Sequence, residues 1–360
     1  MMDFGLSEEQ ELLQQTIRGF AQKECPTTRL RELFDEGLGH DPALWSALAE
    51  MGVTGLLVPE QQGGAGMELL DVALVAEILG ETALPVPFLG HSLAVLGVNL
   101  LGSEDQRSSI LPTLIGGDKI ATVALQEGDQ GWAPRDWTVK ADGDRISGMK
   151  TIVLHAKLAD RILVGLQGGS LAWVDARAAG IEIEEANGVD RTRPFATVTF
   201  SGTPAEILDA GAGSSEQLTN AAAVLLAADA FGAASKLIDL DVAYSQSREQ
   251  FGQPIGQFQA IKHTIARIGT ELEPTRGLWW YAAYAFDHLP AEASHAASIA
   301  KAHISDRAMH AARESVELHG GYGFTWECEV QMWFKRIMFD RSFLGTPEQH
   351  RERCAELAGW

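Results

Sequence analysis

The feature that most constrains this fold is a change of periodicity that happens twice along the 360 residues. From Ser7 to about Gly116, apolar residues recur at helical spacing. Between Ile120 and about Ile207, short β-branched runs (IATVAL, WTVKA, RILVGL, ATVTF) are separated by turn residues such as Asp142-Gly143-Asp144. From Ser215 onward the spacing is helical again, in alanine-rich stretches over Ala221–Gln246, Gln259–His288 and Ala291–Leu318. In the first regime Ser7 and Gln10 make a capping box, and Leu12, Leu13, Ile17 and Phe20 are expected on one face. Leu44, Trp45, Leu48 and Met51 mark a second helix, Leu69 to Leu79 a third. The stretch Leu84-Pro85-Val86-Pro87 precedes a fourth, around Leu93 to Leu101. Strands enclosed between two helical regions imply an α+β chain with segregated layers, not an alternating nucleotide-binding sheet. The expected units are a helical domain over 1–119, a small antiparallel barrel or sandwich over 120–210, and an up-and-down bundle over 211–360. No GxGxxG, Walker loop or internal repeat is present.

Acidic residues outnumber basic ones by 49 to 28, a formal charge of −21, which argues against nucleic acid or an anionic membrane as partner. The same charge repels any polyanionic ligand, so a site for one must be a local basic patch, and isolated arginines become informative. Cys25, Cys328 and Cys354 are too few and too scattered for a disulfide framework or a zinc site, and no metal is expected. No apolar run reads as long enough to cross a bilayer. The opening MMDFGLSEEQ has neither a basic n-region nor an apolar h-region, so a cytoplasmic location is the expectation.

Three segments stand out. In Tyr244-Ser-Gln-Ser-Arg248-Glu-Gln-Phe251-Gly252-Gln-Pro254-Ile255-Gly256-Gln-Phe258-Gln259, Arg248 falls where a helix ends, Gly252 permits a turn and Pro254 stops helix continuation. An arginine there can grip a pyrophosphate bidentately, and Gln259 offers an amide to phosphate or ribose oxygens. An ordinary helix–helix corner explains the same residues. Glu317-Leu318-His319-Gly320-Gly321-Tyr322-Gly323-Phe324 closes the next long helix, where paired glycines either admit a ligand or merely terminate the helix. The third is the glycine-rich Met51-Gly52-Val-Thr-Gly55-Leu-Leu-Val-Pro59-Glu60-Gln-Gln-Gly63-Gly64-Ala-Gly66, running on to Glu77-Ile-Leu-Gly80.

Taken in this order, the three segments resemble the acyl-CoA dehydrogenase family. Its members carry a "GL…PE..GG.G…E..G" loop, an "R..FG.PI..FQ" corner and a "GG.GY" turn. Asp142-Gly-Asp-Arg-Ile-Ser-Gly148-Met-Lys150 is similar to the family's "DG…LNG.K". The resemblance covers essentially the whole chain. It implies an N-terminal α-helical domain, a middle β-barrel and a C-terminal four-helix bundle. It also implies FAD at a subunit interface, an acyl-CoA substrate oxidised at Cα–Cβ, and an electron-transfer flavoprotein as electron acceptor. In family terms Arg248 and Gln259, with the groups around Gly320 and Gly321, reach the ADP half of a neighbour's FAD; Phe251 and Glu317 also count as cofactor-binding, with Glu317 standing where Gln is usual.

The departures concern the chemistry. Phe343-Leu344-Gly345-Thr346 matches the family's "YEG[TS]" motif and puts leucine at the position of the catalytic base. The alternative base position of a smaller branch falls at Ala222. Neither can accept a proton. The "TEP..GSD" loop becomes Gln126-Glu127-Gly128-Asp129-Gln130-Gly131-Trp132, and the "WITN" strand becomes Ile152-Val153-Leu154-His155. A positioned general base contributes roughly 10²–10⁴ in rate. The resemblance therefore favours a subunit of an α2β2 enzyme, a type found in bacteria degrading sterol side chains, in which a related partner holds the flavin ring and the glutamate. Glu348, His350 and Glu127 are the acids and imidazole that could replace the base; Glu348 also suits a helix start, and Glu127 a solvated strand end. A self-associating flavoenzyme with a moved base or another flavin reaction, and a flavin-free binding protein of this fold, are the alternatives. Trp279, Trp280, Tyr281 and Tyr284 are expected in core and interface packing, and His263 and His303 on helix surfaces.

Overall fold

In a computed structural model of the chain, residues 5–128, 131–208 and 214–360 are described. The N-terminal region is helical: α1 (Glu8–Glu24), α2 (Thr27–Glu36), α3 (Pro42–Glu50), α4 (Leu69–Thr82), α5 (Phe88–Leu101) and α6 (Glu104–Ile110). Ser7 and Gln10 close the capping box as expected. The predicted α1 face is only partly right. Ile17 is buried and Leu13 and Phe20 pack on the core, but Leu12 is 63% exposed. One residue turns a helix by about 100°, so adjacent leucines cannot share a narrow stripe. Met51 likewise lies at the exposed C-cap of α3.

The middle region holds β1 (Ala121–Ala124), β2 (Lys140–Asp142), β3 (Arg145–Leu154), β4 (Arg161–Gly165), β5 (Leu171–Asp175), β6 (Ile181–Ala186), β7 (Phe195–Pro204) and β8 (Glu206–Leu208). They form two four-stranded sheets, in the orders β1-β4-β5-β8 and β2-β3-β7-β6. Val153, Ile146, Ile162, Val164, Val198 and Phe200 fill the layer between them. The expectation of a purely antiparallel domain is corrected at one pairing, because β1 runs parallel to β4. The Lys119–Asp160 region leads into β1 and β4 from the same end, with Ile120 N–H bonded to the Asp160 carboxylate at 3.1 Å.

The C-terminal region contains α7 (Ser214–Ser247), the two-residue strands β9 (Glu249–Gln250) and β10 (Gln253–Pro254), α8 (Gln259–Leu272), α9 (Arg276–His288), α10 (Pro290–Leu318), α11 (Val330–Ser342) and α12 (Pro347–Leu357). The single helix expected over 259–288 is interrupted by a 3₁₀ turn at Glu273–Thr275, because Pro274 has no N–H to continue the ladder. The reading that no segment could cross a bilayer also needs correction. Over α7 an 18-residue window reaches a mean hydropathy of 1.6 with 83% of it buried inside the protein. A helix apolar all round is the signature of a core position, and α7 packs against α4, α5, α9, α10 and α11.

The Glu77…Gly80 part of the glycine-rich motif serves this packing. A Cβ on Gly80 would lie 2.0 Å from the Asp229 carbonyl oxygen, and one on Gly232 would lie 1.9 Å from that of Glu77. The two glycines let α4 and α7 touch backbone to backbone. Glu77 is buried beside them, paired with Arg276 and accepting from Gln14 Nε2 at 2.8 Å. Nearby, Arg193 from the β-domain pairs with Asp229 of α7 and Asp340 of α11, while Arg336 binds Asp229 at 2.7 Å and Lys301 donates to the Asp340 carbonyl. All five side chains are buried, so this network locks the β-domain to the C-terminal helices.

Candidate cofactor groove and the closed pocket beside Leu344

Arg248 follows α7 directly. The next residues do not form a plain helix–helix corner: β9 and β10 pair as a hairpin, Gln250 opposite Gln253, around a two-residue turn. Phe251 and Gly252 occupy that turn with φ of +53° and +80°, the left-handed pair a tight hairpin requires. Glycine tolerates this at no cost; phenylalanine does not, and its ring is 93% exposed at the tip. Gly320, at φ +59°, makes the left-handed turn after α10 and opens the 3₁₀ turn Gly320–Phe324.

These pieces enclose a groove of about 960 Å³ lined by Arg248, Phe251, Gly320 and Gly321, together with Ala260 and Ile261 from the first turn of α8. A Cβ on Gly320 or Gly321 would meet nothing within 4 Å, so the face is open. Arg248 is exposed and makes no ion pair or side-chain hydrogen bond among the described residues. An unneutralised guanidinium beside the N-terminal end of a 14-residue helix is a favourable place for phosphate oxygens. Gln259 begins α8 and Glu317 lies in the last turn of α10; both are exposed at the flank of the groove and neither lines it. The sequence reading did not single out the floor, which is aromatic. Tyr244 stacks on His319 with ring centroids 4.2 Å apart, and Tyr322 lies 6.2 Å from Tyr244. The signal was present as Tyr244 one helical turn before Arg248.

The region around Leu344 is built in the opposite way. Leu344 is 1% exposed and sits at φ +53°. Its N–H donates to Gln126 Oε1 at 3.0 Å, and its carbonyl lies 3.0 Å from His350 Nε2. A carbonyl can only accept, so Nε2 carries the proton and Nδ1 is the bare nitrogen. The His350 ring packs on Trp132 at 4.5 Å, and a Cβ on Gly345 would lie 2.7 Å from its Nε2. Burial, reinforced by the charge of Lys301, pushes His350 down to about 3. This imidazole is a neutral strut packed between Trp132 and the Leu344 carbonyl.

The two acids are also committed elsewhere. Glu348 is exposed in the first turn of α12, where its own backbone N–H, the Thr346 hydroxyl and Arg341 at 2.9 Å keep its carboxyl below the usual range. Glu127 lines a cavity of about 630 Å³ with Trp132, Arg135, Thr138 and Arg353. Burial acts to raise its carboxyl, but Lys150 at 2.6 Å and the Thr138 hydroxyl and N–H prevail and lower it. Burial in turn pushes Lys150 down to about 8. Ala222 is buried in α7. Asp129 and Gln130, in the altered loop, lie outside the described residues. In the altered strand, Ile152 adopts φ +51° at a register shift between Lys150 and Val153, and His155 reaches the Gly39 carbonyl at 3.1 Å through Nε2. Burial pushes His155 down to about 3, so it too is structural.

The residues present fit the two halves of a flavin dinucleotide unequally. An open, cationic, glycine-edged groove suits the phosphates and adenosine. Leu344 is instead buried under this chain's own side chains, with no available base beside it among the described residues.

The sequence matches the acyl-CoA dehydrogenase N-terminal domain over residues 7–118 and the acyl-CoA dehydrogenase C-terminal domain over residues 209–358. It is 34% identical to acyl-CoA dehydrogenase IpdE2 of Mycolicibacterium smegmatis over 354 residues, covering 98% of this chain and 100% of that protein. Among solved structures it is similar to the Tcur3481-Tcur3483 steroid ACAD, at TM-score 0.90 and 30% identity over 98% of each chain. The ChsE4-ChsE5 complex from Mycobacterium tuberculosis shares the fold at TM-score 0.89 and 24% identity, over 99% of each chain. This chain belongs to the acyl-CoA dehydrogenase family, which uses FAD.

Proposed function

We propose that this chain is the base-lacking subunit of a heteromeric acyl-CoA dehydrogenase, and that it lends Arg248, Gln259 and Gly321 to FAD held by a related partner subunit. The observation that carries this reading is the filled pocket beside Leu344, where Trp132, His350 and Gln126 pack against the residue at the base position. The family resemblance and the two heteromeric structures named above support the assembly.

When bound, FAD supplies the two-electron acceptor for oxidation of the acyl Cα–Cβ bond. This chain's part is to hold and orient. Arg248 places a permanent positive charge on the phosphates, the bare backbone of Gly320 and Gly321 allows close approach, and Gln259 offers an amide to phosphate or ribose oxygens. Proton removal from the substrate falls to the partner, because the three candidates near Leu344 in this chain, Glu127, Glu348 and His350, are paired or buried neutral. An electron-transfer flavoprotein is the acceptor this assignment calls for. A steroid-type acyl group fits the similarity to the steroid ACAD structure, and a subunit with no base of its own leaves one site per pair of chains.

The test is co-expression with a dehydrogenase-like partner, followed by FAD counting and acyl-CoA turnover. One FAD per two chains, with no turnover by this chain alone, is the expected result. A homotetramer of this chain with one FAD per chain and turnover would replace the proposal with a stand-alone flavoenzyme.

A further inference from the structure

Beneath the groove lies a buried acid–imidazole pair that neither the fold nor the clamp accounts for. Asp241 of α7 is 1% exposed. Its Oδ2 accepts from Ser315 Oγ at 2.7 Å, whereas Oδ1 has no hydrogen-bond donor and stands 3.4 Å from His319 Nδ1. The His319 Nδ1 also lies 2.8 Å from the Ser315 carbonyl, which can only accept, so Nδ1 carries a proton. That leaves Nε2 as the bare nitrogen. It has no partner among the described residues, and His319 lines the groove beside Gly320 and Gly321.

We infer that Asp241 and His319 titrate as a coupled pair, and that an anion entering the groove draws one proton onto His319 Nε2, making it a second cationic donor beside Arg248. The inference rests on the clamp reading above. A neutral imidazole would present a lone pair to a phosphate, which is repulsive. Protonation at Nε2 reverses that, with Asp241 behind Nδ1 balancing the new charge.

The surroundings favour this equilibrium near neutrality. Burial raises Asp241 to about 7, with the Ser315 hydroxyl opposing and Glu314 reinforcing the rise. Burial lowers His319, with its contact to the Ser315 carbonyl opposing. The other ionisable groups around the pair are Tyr244 and Arg248 at the end of α7, Tyr322 on the 3₁₀ turn, and Cys328, which senses the Asp241 charge. From the hairpin side and α8 the groove receives the apolar Ile255, Phe258, Ala260 and Ile261. Below pH 7 the dyad holds that proton and is neutral overall. Above it the proton leaves, and the net negative dyad opposes an anion. Ligand binding must therefore take up a proton above neutrality and none well below it.

The experiment uses the full chain and ADP. Calorimetry in two buffers of different ionisation enthalpy reads proton uptake, and the Cε1–H NMR signal of ¹³C-labelled His319, assigned with His319→Gln, reads the titration. The expected results are uptake approaching one proton above pH 7, none at pH 5.5, and a Kd that weakens up to about tenfold per pH unit on the alkaline side. Asp241→Asn should abolish the uptake. ADP binding that depends on Arg248 but is unchanged from pH 5.5 to 9 overturns the dyad and leaves the clamp standing. Uptake that persists in Asp241→Asn also overturns the dyad. An ADP titration with no heat and no His319 shift at any pH overturns both.

Discussion

The groove beside Arg248 and the cluster around Leu344 belong to the same C-terminal region, yet they follow opposite rules. Around Leu344 the polar groups are used internally, the bare His350 Nδ1 excepted: Gln126 caps the Leu344 N–H, His350 caps its carbonyl, and Lys150 holds Glu127. Around Arg248 the guanidinium has no internal partner, Phe251 projects into solvent, and two glycines leave open space. A protein interior demands satisfied groups, while a binding face must leave some unsatisfied. No free base stands beside Leu344 among the described residues, and the other region presents a surface able to hold an anion. Substitutions around Leu344 should therefore register in stability, and those around Arg248 in binding.

The largest expected effect comes from restoring an acid. Leu344→Glu would bury a carboxylate among Trp132, His350 and Gln126, where the nearby cations Lys301 and Arg353 are already engaged by the Asp340 carbonyl and Glu216, costing about 3–5 kcal/mol in urea denaturation and yielding no turnover. A stable variant with acyl-CoA turnover would show that the pocket is not closed. Acid should have the next largest effect. His350 is held neutral in the fold, at about 3 against an unfolded value near 6.5, so unfolding takes up a proton between those limits. Its stabilising contribution is present in full above pH 6.5 and falls toward pH 3, by at most about 1.4 kcal/mol per pH unit. His350→Gln should flatten the pH slope of stability in that window; an unchanged slope would show that the imidazole is free to titrate.

On the open side, Arg248→Ala should leave stability within about 0.5 kcal/mol. FAD retention by the co-expressed complex should drop by roughly 10- to 150-fold, matching loss of about 1.5–3 kcal/mol for hydrogen bonds to a charged group. Loss of fold stability instead would place Arg248 with the structural arginines. The smallest effect is expected for Glu317→Gln, which removes an exposed negative charge at the groove flank. Gains of about 0.5 kcal/mol, roughly twofold in FAD retention, are expected with no change in melting. No gain would show that position 317 lies too far from the cofactor to matter.

Much of this was legible in the chain. The order of helices, strands and helices follows from periodicity. The absence of a titratable group at Leu344 and Ala222 is a property of side-chain chemistry that no packing can alter. The left-handed turn at Gly252 and the break before Gln259 were written in Gly and Pro. Four of the six residues that the family resemblance assigns to the cofactor line one groove. Less legible was the reason for Glu77…Gly80, which is a backbone contact between α4 and Gly232 of α7, over 150 residues away in sequence. Nor could spacing show that α7, apolar enough for a membrane, is a buried core helix, or that β1 pairs in parallel with β4.

The sequence by itself determined that Leu344 and Ala222 cannot ionise and which charges exist, because ionisable groups are counted residue by residue. Only the tertiary structure decided which of those charges remain free. Glu127, Glu348 and His350 could each have been a base until Lys150, Arg341 and the Leu344 carbonyl were brought against them, and proton affinity is set by neighbours that distant parts of the chain supply.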